Sequence, residues 1–519
     1  MRTIILPLLA LFFFSAASAQ ILTVKTSEKQ RSTFRWGDFY YSDALDHHSF
    51  NEMTETKDGF FKIGLMTNEG YTKKNYRILH ISKLDKSLQI TEEFTIDLRD
   101  EETKSLQTPV ALIKGTDKLH LVCDRIRDGQ LELVHWVLNA SDLSVVSKNE
   151  VIASFEFDSK KAAHYNYSIS ERTGQFAIAY IQESGKESCN IHSILFSKDM
   201  KKEFIHSQEI SIPYFEQLIS SVHAAGNGRI WSIINGRIRK SVTGSFAVCA
   251  SKGQTKLVAF RIDDSDLFFS EGMVTSDDKF VMAGLRPEPG GKAFNALQVA
   301  EISETGKITS LQKLAFDENF TKEISEGSRH ASGISTNFLI NKLLQRKNGT
   351  IDIIFSYVHP DFLYWGGNDI KINFGDIAVA SLKLDKTIST AIFNRNITDR
   401  QHAKFTFSLI KYLSVSNAFT DSNNLYLMFR SNPENIKKKG APGEATNIKM
   451  HNAILSCVRV AENEAVSSQI LYEPGENFIS HFPNAVTGTI DKNTFYGYHS
   501  TEWGMTSKAN VIFSILKVK

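Results

Sequence analysis

The residues of this chain best suited to chemistry are its histidines, and they cluster in one kind of place. His47-His48, His164, His223, His330, His402 and His481, seven of the fifteen, fall in segments that precede or open the first strand of a repeated strand unit. His48, His164 and His481 each lie twelve to fourteen residues before the first apolar residue of the second strand. Gathered around one opening, neutral imidazoles suit a divalent metal, and protonated ones suit a carboxylate or a phosphate. The competing reading is that each ring separately satisfies main-chain groups of its own loop. A metal centre needs convergent ligands and a second shell, and the second and fifth units contribute no histidine. The sequence therefore assigns no metal and no cofactor, and retains His48, His164, His330, His402 and His481 as ligand-binding candidates.

The second set of candidates is aromatic and acidic. Residues His359–Asp376 read HPDFLYWGGNDIKINFGD and hold Phe362, Tyr364, Trp365 and Phe374. Thr501-Glu502-Trp503-Gly504 repeats the Trp-Gly pair of Trp365-Gly366. Trp and Tyr beside Gly make flat platforms with an apolar face and a polar edge, suited to sugars or peptides. Asp361, Asp369 and Glu502 supply hydrogen bonds there, or an acid/base pair. The competing reading has these aromatics folding back to pack their loops. The basic run Lys437-Lys438-Lys439-Gly440-Ala441-Pro442-Gly443 reads as a solvated loop tip.

Known catalytic signatures are absent. The sequence contains no H-E-x-x-H, C-x-x-C or G-x-S-x-G and no phosphate loop. Gly226-Asn227-Gly228 has Trp231 where a dinucleotide fingerprint needs its third Gly, so it reads as a hairpin turn. The formal net charge of +2, about +1 once Arg2 is removed with a leader, gives no drive toward nucleic acid or an anionic membrane.

The elements that position these residues come from a recurring hairpin unit. Its clearest copy is Lys118–Ser141, and the second strands of comparable units begin near Phe60, Leu119, Phe176, Ile230, Phe280, Ile351, Leu425 and Phe495. Most units read as four strands, with ~50–75 residues per unit, as expected of propeller blades. The aromatic content, 36 Phe, 15 Tyr and 5 Trp, suits pleated, half-buried strands. The last unit has only three strands, whereas Ile21–Val24 is a β-segment without a unit of its own. Pairing it as the missing strand closes a ring and covers an exposed edge. The chain thus resembles a β-propeller in general architecture, and no specific family within that class. The expected fold is all-β, a single propeller of eight four-stranded blades. Seven is the alternative, because the fourth unit is compressed. Residues Asn319–Gly327 are read as one short helical turn.

Arg2, the apolar run Ile4–Phe14 and Ala17-Ser18-Ala19 read as a signal peptide over residues 1–19, leaving 20–519 as the propeller. The apolar run falls short of the ~20 residues that span a bilayer, so no transmembrane segment is expected. An exported monomer, periplasmic or secreted, follows. Cys123, Cys189, Cys249 and Cys457 sit in or at the start of apolar strands of separate units and read as core residues rather than disulfides. Sequons stand at Asn139, Asn166, Asn319, Asn348 and Asn396. Two functions fit: a binding or scaffold protein with a protein or carbohydrate partner, or a carbohydrate-active hydrolase or lyase. The residues leave open whether the protein is an enzyme.

Overall fold

The computed structural model describes residues 21–518, apart from 33–49, 66–77, 363–368, 403–416, 438–447, 473–485, 501–508 and interruptions of one to four residues elsewhere. Eight four-stranded antiparallel blades follow one another along the chain. Their innermost strands are Asn51–Glu55, Thr108–Lys114, Ala163–Ile169, Glu216–Ala224, Phe268–Val274, Phe338–Gln345, Asn417–Asp421 and Val486–Asp491. The second strands are Gly59–Leu65, Lys118–Arg127, Phe176–Glu183, Ile230–Ile238, Phe280–Pro287, Ile351–Phe362, Asn424–Ser431 and Thr494–Ser500. The fourth unit is a complete blade, with Ser241–Ser251 and Gln254–Ala259 outside Ile230–Ile238. It is short in sequence because its strands are joined by tight connections, so the blade number is eight and not seven.

Burial grades outward across each blade. In blade three Phe176–Ile181 is buried along its whole length, because a second strand has neighbouring blades on both faces. In blade five the outer strand Ile308–Ala315 alternates half-buried and exposed residues, as an edge strand must. Facing blades meet in apolar seams. Leu121, Cys123 and Trp136 pack blade two on blade one, and Val122, Leu133, Phe176 and Phe196 pack it on blade three. Trp231 stacks on Phe280 between blades four and five, ring centroids 4.5 Å apart and planes 1° from parallel. Each of the eight junctions has such a cluster.

The ring closes as its sequence requires. Leu22–Thr26 pairs antiparallel with Ala509–Val518, Leu22 opposite Val518, and supplies the outer strand of blade eight. The Gln469 side chain of blade seven then brackets the incoming chain. Its Oε1 accepts from the Ile21 and Leu22 N–H groups at 2.7 and 2.8 Å, and its Nε2 donates to Leu22 O at 3.1 Å.

Turn chemistry repeats where the strands do not. The third and fourth strands of blades one, two and six are joined through Asp85-Lys86-Ser87, Asp142-Leu143-Ser144 and Asp385-Lys386-Thr387. In each, the Asp carboxylate accepts from the N–H two residues on, at 2.8, 2.9 and 3.0 Å. Hydrogen bonds hold all three carboxyls below the usual Asp range, led by the Ser87 hydroxyl at Asp85, the Ser144 N–H at Asp142 and the Thr387 hydroxyl at Asp385. All four cysteines are buried, as core residues. The short helix is Glu318–Glu323, capped by Asp317, whose carboxylate accepts from Phe320 N–H at 3.0 Å. No helix among the described residues is long and apolar enough to cross a membrane.

Candidate functional site

Antiparallel order gives the propeller two unlike faces. One carries the starts of the innermost strands and the connections between second and third strands. The other carries the tight turns between first and second strands. The inner strands that wall the channel are bulged, in blade two between Pro109 and Ala111, in blade four between Ile219 and Ser221, and in blade six between Ile340 and Lys342. A bulge takes a residue out of the ladder, and its main-chain groups need other partners.

Neighbouring inner strands provide them. Tyr167 Oη donates to Val110 O at 2.7 Å, tying blade three to blade two. Asn166 Nδ2 donates to Ile219 O and Ser220 O at 3.0 and 3.3 Å, tying blade three to blade four. Ser220 Oγ reaches Ser270 O of blade five at 3.4 Å. Lys342 Nζ donates to Ala418 O of blade seven at 3.1 Å. The sequon at Asn166 is thus spent on the channel wall, its amide already engaged inside the ring.

One stretch of this wall is charged. Lys114 Nζ, at the end of the blade-two inner strand, donates to Met53 O of blade one at 3.3 Å and to Ile490 O of blade eight at 2.9 Å. Burial pushes the Lys114 ammonium below the usual lysine range, against the opposing pull of Glu52, Asp491 and Glu55. Burial pushes the Glu52 carboxyl up, against Lys114 and Lys62. Burial thus moves the two groups in opposite directions, and the charge of each opposes the shift of the other. Sequence reasoning passed over both, because a charged residue at the rim of a short strand resembles an ordinary strand-to-turn boundary.

Of the candidate histidines, His164 lies on the inner strand of blade three, at the end that opens on the first face. Its Nδ1 accepts from Ile219 N–H at 3.3 Å, which places the proton of the neutral ring on Nε2. Burial lowers its pKa to about 4, so it presents a neutral N–H donor at ordinary pH. His223 sits near the opposite end of the blade-four inner strand, against Phe280, and shares no opening with His164. His330 lies on a small hairpin, Arg329–His330 with Gly333–Ser335, that pairs with the blade-five strand Ala293–Ile302. Its Nδ1 is 2.9 Å from Ser332 Oγ. His48, His481, Tyr364, Trp365, Glu502 and Trp503 lie outside the described residues.

The backbone does bring several of the remaining candidates together. The blade-six hairpin Ile351–Phe362 with Asp369–Leu382 runs well past its blade. Its outer half pairs with Ile397–His402, and that strand pairs in turn with Ile448–Lys449 from the long connection of blade seven. A raised sheet results, built from three separate stretches of chain. Its register sets Asp369 opposite His402 and Asp361 opposite Lys371. Tyr364 and Trp365 belong to residues 363–368, which join these two strands in the sequence.

The root of this sheet is firmly held. Arg395 is 1% exposed, its guanidinium is 4.9 Å from the Phe374 ring centroid, and its Nε donates to Arg430 O of blade seven at 3.0 Å. Asp376 is fully buried and accepts from Ser325 N–H and Oγ at 2.8 and 2.6 Å, and from Asn394 Nδ2. Beneath the hairpin, on the other face, Arg346 and Asp352 form a buried two-pronged pair at 2.7 and 2.8 Å. Arg346 also donates to Asn423 O and Ala461 O of blade seven, both at 3.1 Å. Among the described residues no group of three or more His, Cys, Asp or Glu is placed to hold a metal ion.

No protein-family model matches the chain, and no curated protein matches it in sequence. Among solved structures it is similar to an oligogalacturonate lyase of Vibrio parahaemolyticus, at 9% identity over 85% of this chain and 97% of that one, with a TM-score of 0.34. It is similar to an uncharacterised protein of Listeria monocytogenes, at 7% identity over 75% of this chain and 88% of that one, TM-score 0.34. It is also similar to semaphorin 2a of Drosophila, at 8% identity over 77% of this chain and 74% of that one, TM-score 0.33. At identities of this size none of these likenesses bears on activity.

Proposed function

We propose that this protein is exported and acts as a binding protein, its ligand docking against the raised sheet on the face that carries the long connections. The observation that supports this reading is the sheet itself, assembled from the blade-six hairpin, Ile397–His402 and Ile448–Lys449. A blade needs none of it: blade two closes the same hairpin with Asp128-Gly129. Its buried root at Arg395 and Asp376 suits a surface that keeps its shape during recognition. The sequence of its tip, with Tyr364 and Trp365, suits a carbohydrate or a peptide. The test is an array of oligosaccharides and peptides probed with the mature chain, each hit confirmed by a rise in melting temperature. Saturable binding to one class is expected, and its absence from both classes overturns the reading.

The alternative, a carbohydrate-active hydrolase or lyase, draws on the charged stretch of channel wall, where Glu52 and Lys114 act on each other electrostatically. It requires turnover of an oligosaccharide that Glu52→Gln abolishes in a folded protein. Binding without turnover removes it.

A further inference from the structure

The seam between blades two and three carries a polar chain that the raised sheet does not use. His120 on Lys118–Arg127 and His135 on Gln130–Asn139 are 9% and 6% exposed. His120 Nδ1 lies 2.9 Å from His135 Nε2, and the rings stack with centroids 5.1 Å apart and planes 23° from parallel. On the far side, His135 Nδ1 is 3.4 Å from Glu150 Oε2, on the outer strand of the same blade. The Glu150 side chain is 66% exposed. The chain Glu150–His135–His120 therefore runs from solvent into the seam across three strands.

Strand alternation puts His120 and His135 on the same face of blade two as Val122 and Leu133, which pack against Phe176, Phe196 and Met200 of blade three. The charged groups that act on the pair are Glu150 from its own blade and Asp199 from the turn before Met200 in blade three. Burial holds both rings below the usual histidine range.

Proton counting gives this chain an unusual response. Neutral, it needs one ring nitrogen of the pair to donate and the other to accept. A first proton is accommodated on His135, which then donates from Nε2 to His120 and from Nδ1 to the Glu150 carboxylate. A second proton, on His120 Nδ1, sets two N–H donors against each other at 2.9 Å inside the seam. The contact then has to open, because a buried pair of like charges with no acceptor between them is not sustained.

We propose that Glu150, His135 and His120 form an acid-operated latch on the seam between blades two and three, which holds one proton closed and opens on the second. The seam reaches the channel mouth, since Tyr165 Oη of blade three donates to Asp124 of blade two across it at 2.7 Å. Opening it therefore loosens the strand that carries His164.

Hydrogen exchange of the full mature chain, corrected for intrinsic rates and compared at about pH 7 and about pH 4.5, reads this directly. Amides of blade two's second strand and of the Ser197–Lys201 turn are expected to lose at least about tenfold of their protection at the lower pH, while the Trp231–Phe280 seam keeps its own. In His120→Leu the loss disappears. Glu150→Gln, an exposed substitution that leaves packing intact, makes the closed state a poorer host for the first proton and moves opening to higher pH. Equal loosening at all seams, or acid opening unchanged in His120→Leu, overturns the latch. So does a midpoint in Glu150→Gln that is unmoved or lower.

Discussion

Blades one to three and blades five to seven bury different kinds of polar group. The first set holds the histidines that are buried among the described residues: His80 and His164, each with a pKa lowered to about 4, and His120 and His135, lowered by burial. The second set holds arginines and aspartates in direct contact with fixed partners, the Arg346–Asp352 pair with Arg395 and Asp376 at the root of the raised sheet. The contrast is one of histidines and not of charge alone, since blade one also buries Lys62, and blade two buries Arg125 against Asp100 and Glu132. The difference teaches where each half is sensitive. One side of the ring responds to acid through its histidines, and the other anchors a projecting surface through arginine and aspartate contacts.

The largest effect expected from this contrast comes from cutting the anchor. Asp352→Ala leaves Arg346 as an uncompensated charge between blades six and seven and is expected to cost about 3–5 kcal/mol, read by denaturant unfolding. A cost under about 1 kcal/mol would show that the pair is not what holds blade six.

Acid comes next. The buried histidines are neutral in the fold, while the unfolded chain titrates near the ordinary value of about 6.5. As pH falls the unfolded chain takes up protons first. Stability is therefore full above about pH 6.5 and is lost as pH falls toward about 4, by on the order of 3 kcal/mol for each of His80 and His164. A melting temperature flat over that window contradicts the account. Substituting His80 and His164 together should flatten the profile more than any substitution in blades five to seven.

A smaller effect tests the turn that blade two uses in place of a raised hairpin. Asp128 and Gly129 have φ values of +50° and +73°, the geometry of a two-residue hairpin turn. Gly129→Ala meets open space, its nearest neighbour Phe157 O being 4.0 Å away, so only backbone strain remains. About 1 kcal/mol is expected, by the same unfolding assay.

Much of this architecture was legible in the sequence because propeller blades repeat their apolar strands. The orphan Ile21–Val24 segment and the three-strand last unit sufficed to foresee closure, realised by Leu22–Thr26 against Ala509–Val518. The compressed fourth unit was ambiguous only in length, since tight turns leave few residues between strands. The contact between His120 and His135 was not legible. They are fifteen residues apart on different strands, and they meet only because the register sets His135 opposite Val122, diagonal to His120. The Asp-x-Ser/Thr turns were missed as a series because single turns of that kind are common. The raised sheet was half visible. The aromatic insertion marked its place, but its completion by Ile448–Lys449 from another blade is a parallel pairing that no local pattern announces. The histidine ring fared differently, as His164 and His223 occupy opposite ends of adjacent inner strands.

The claim that recognition rests on the raised sheet is tested most directly by making blade six resemble blade two. Replacing residues 359–373 with the Asp-Gly turn of blade two leaves the blade's own four strands and the Arg346–Asp352 anchor in place. The expected result is a protein that melts within a few degrees of the parent and loses at least about a hundredfold in affinity for the ligand found on the array. Full affinity in the shortened, folded protein would contradict the claim and move the binding surface to another part of the ring.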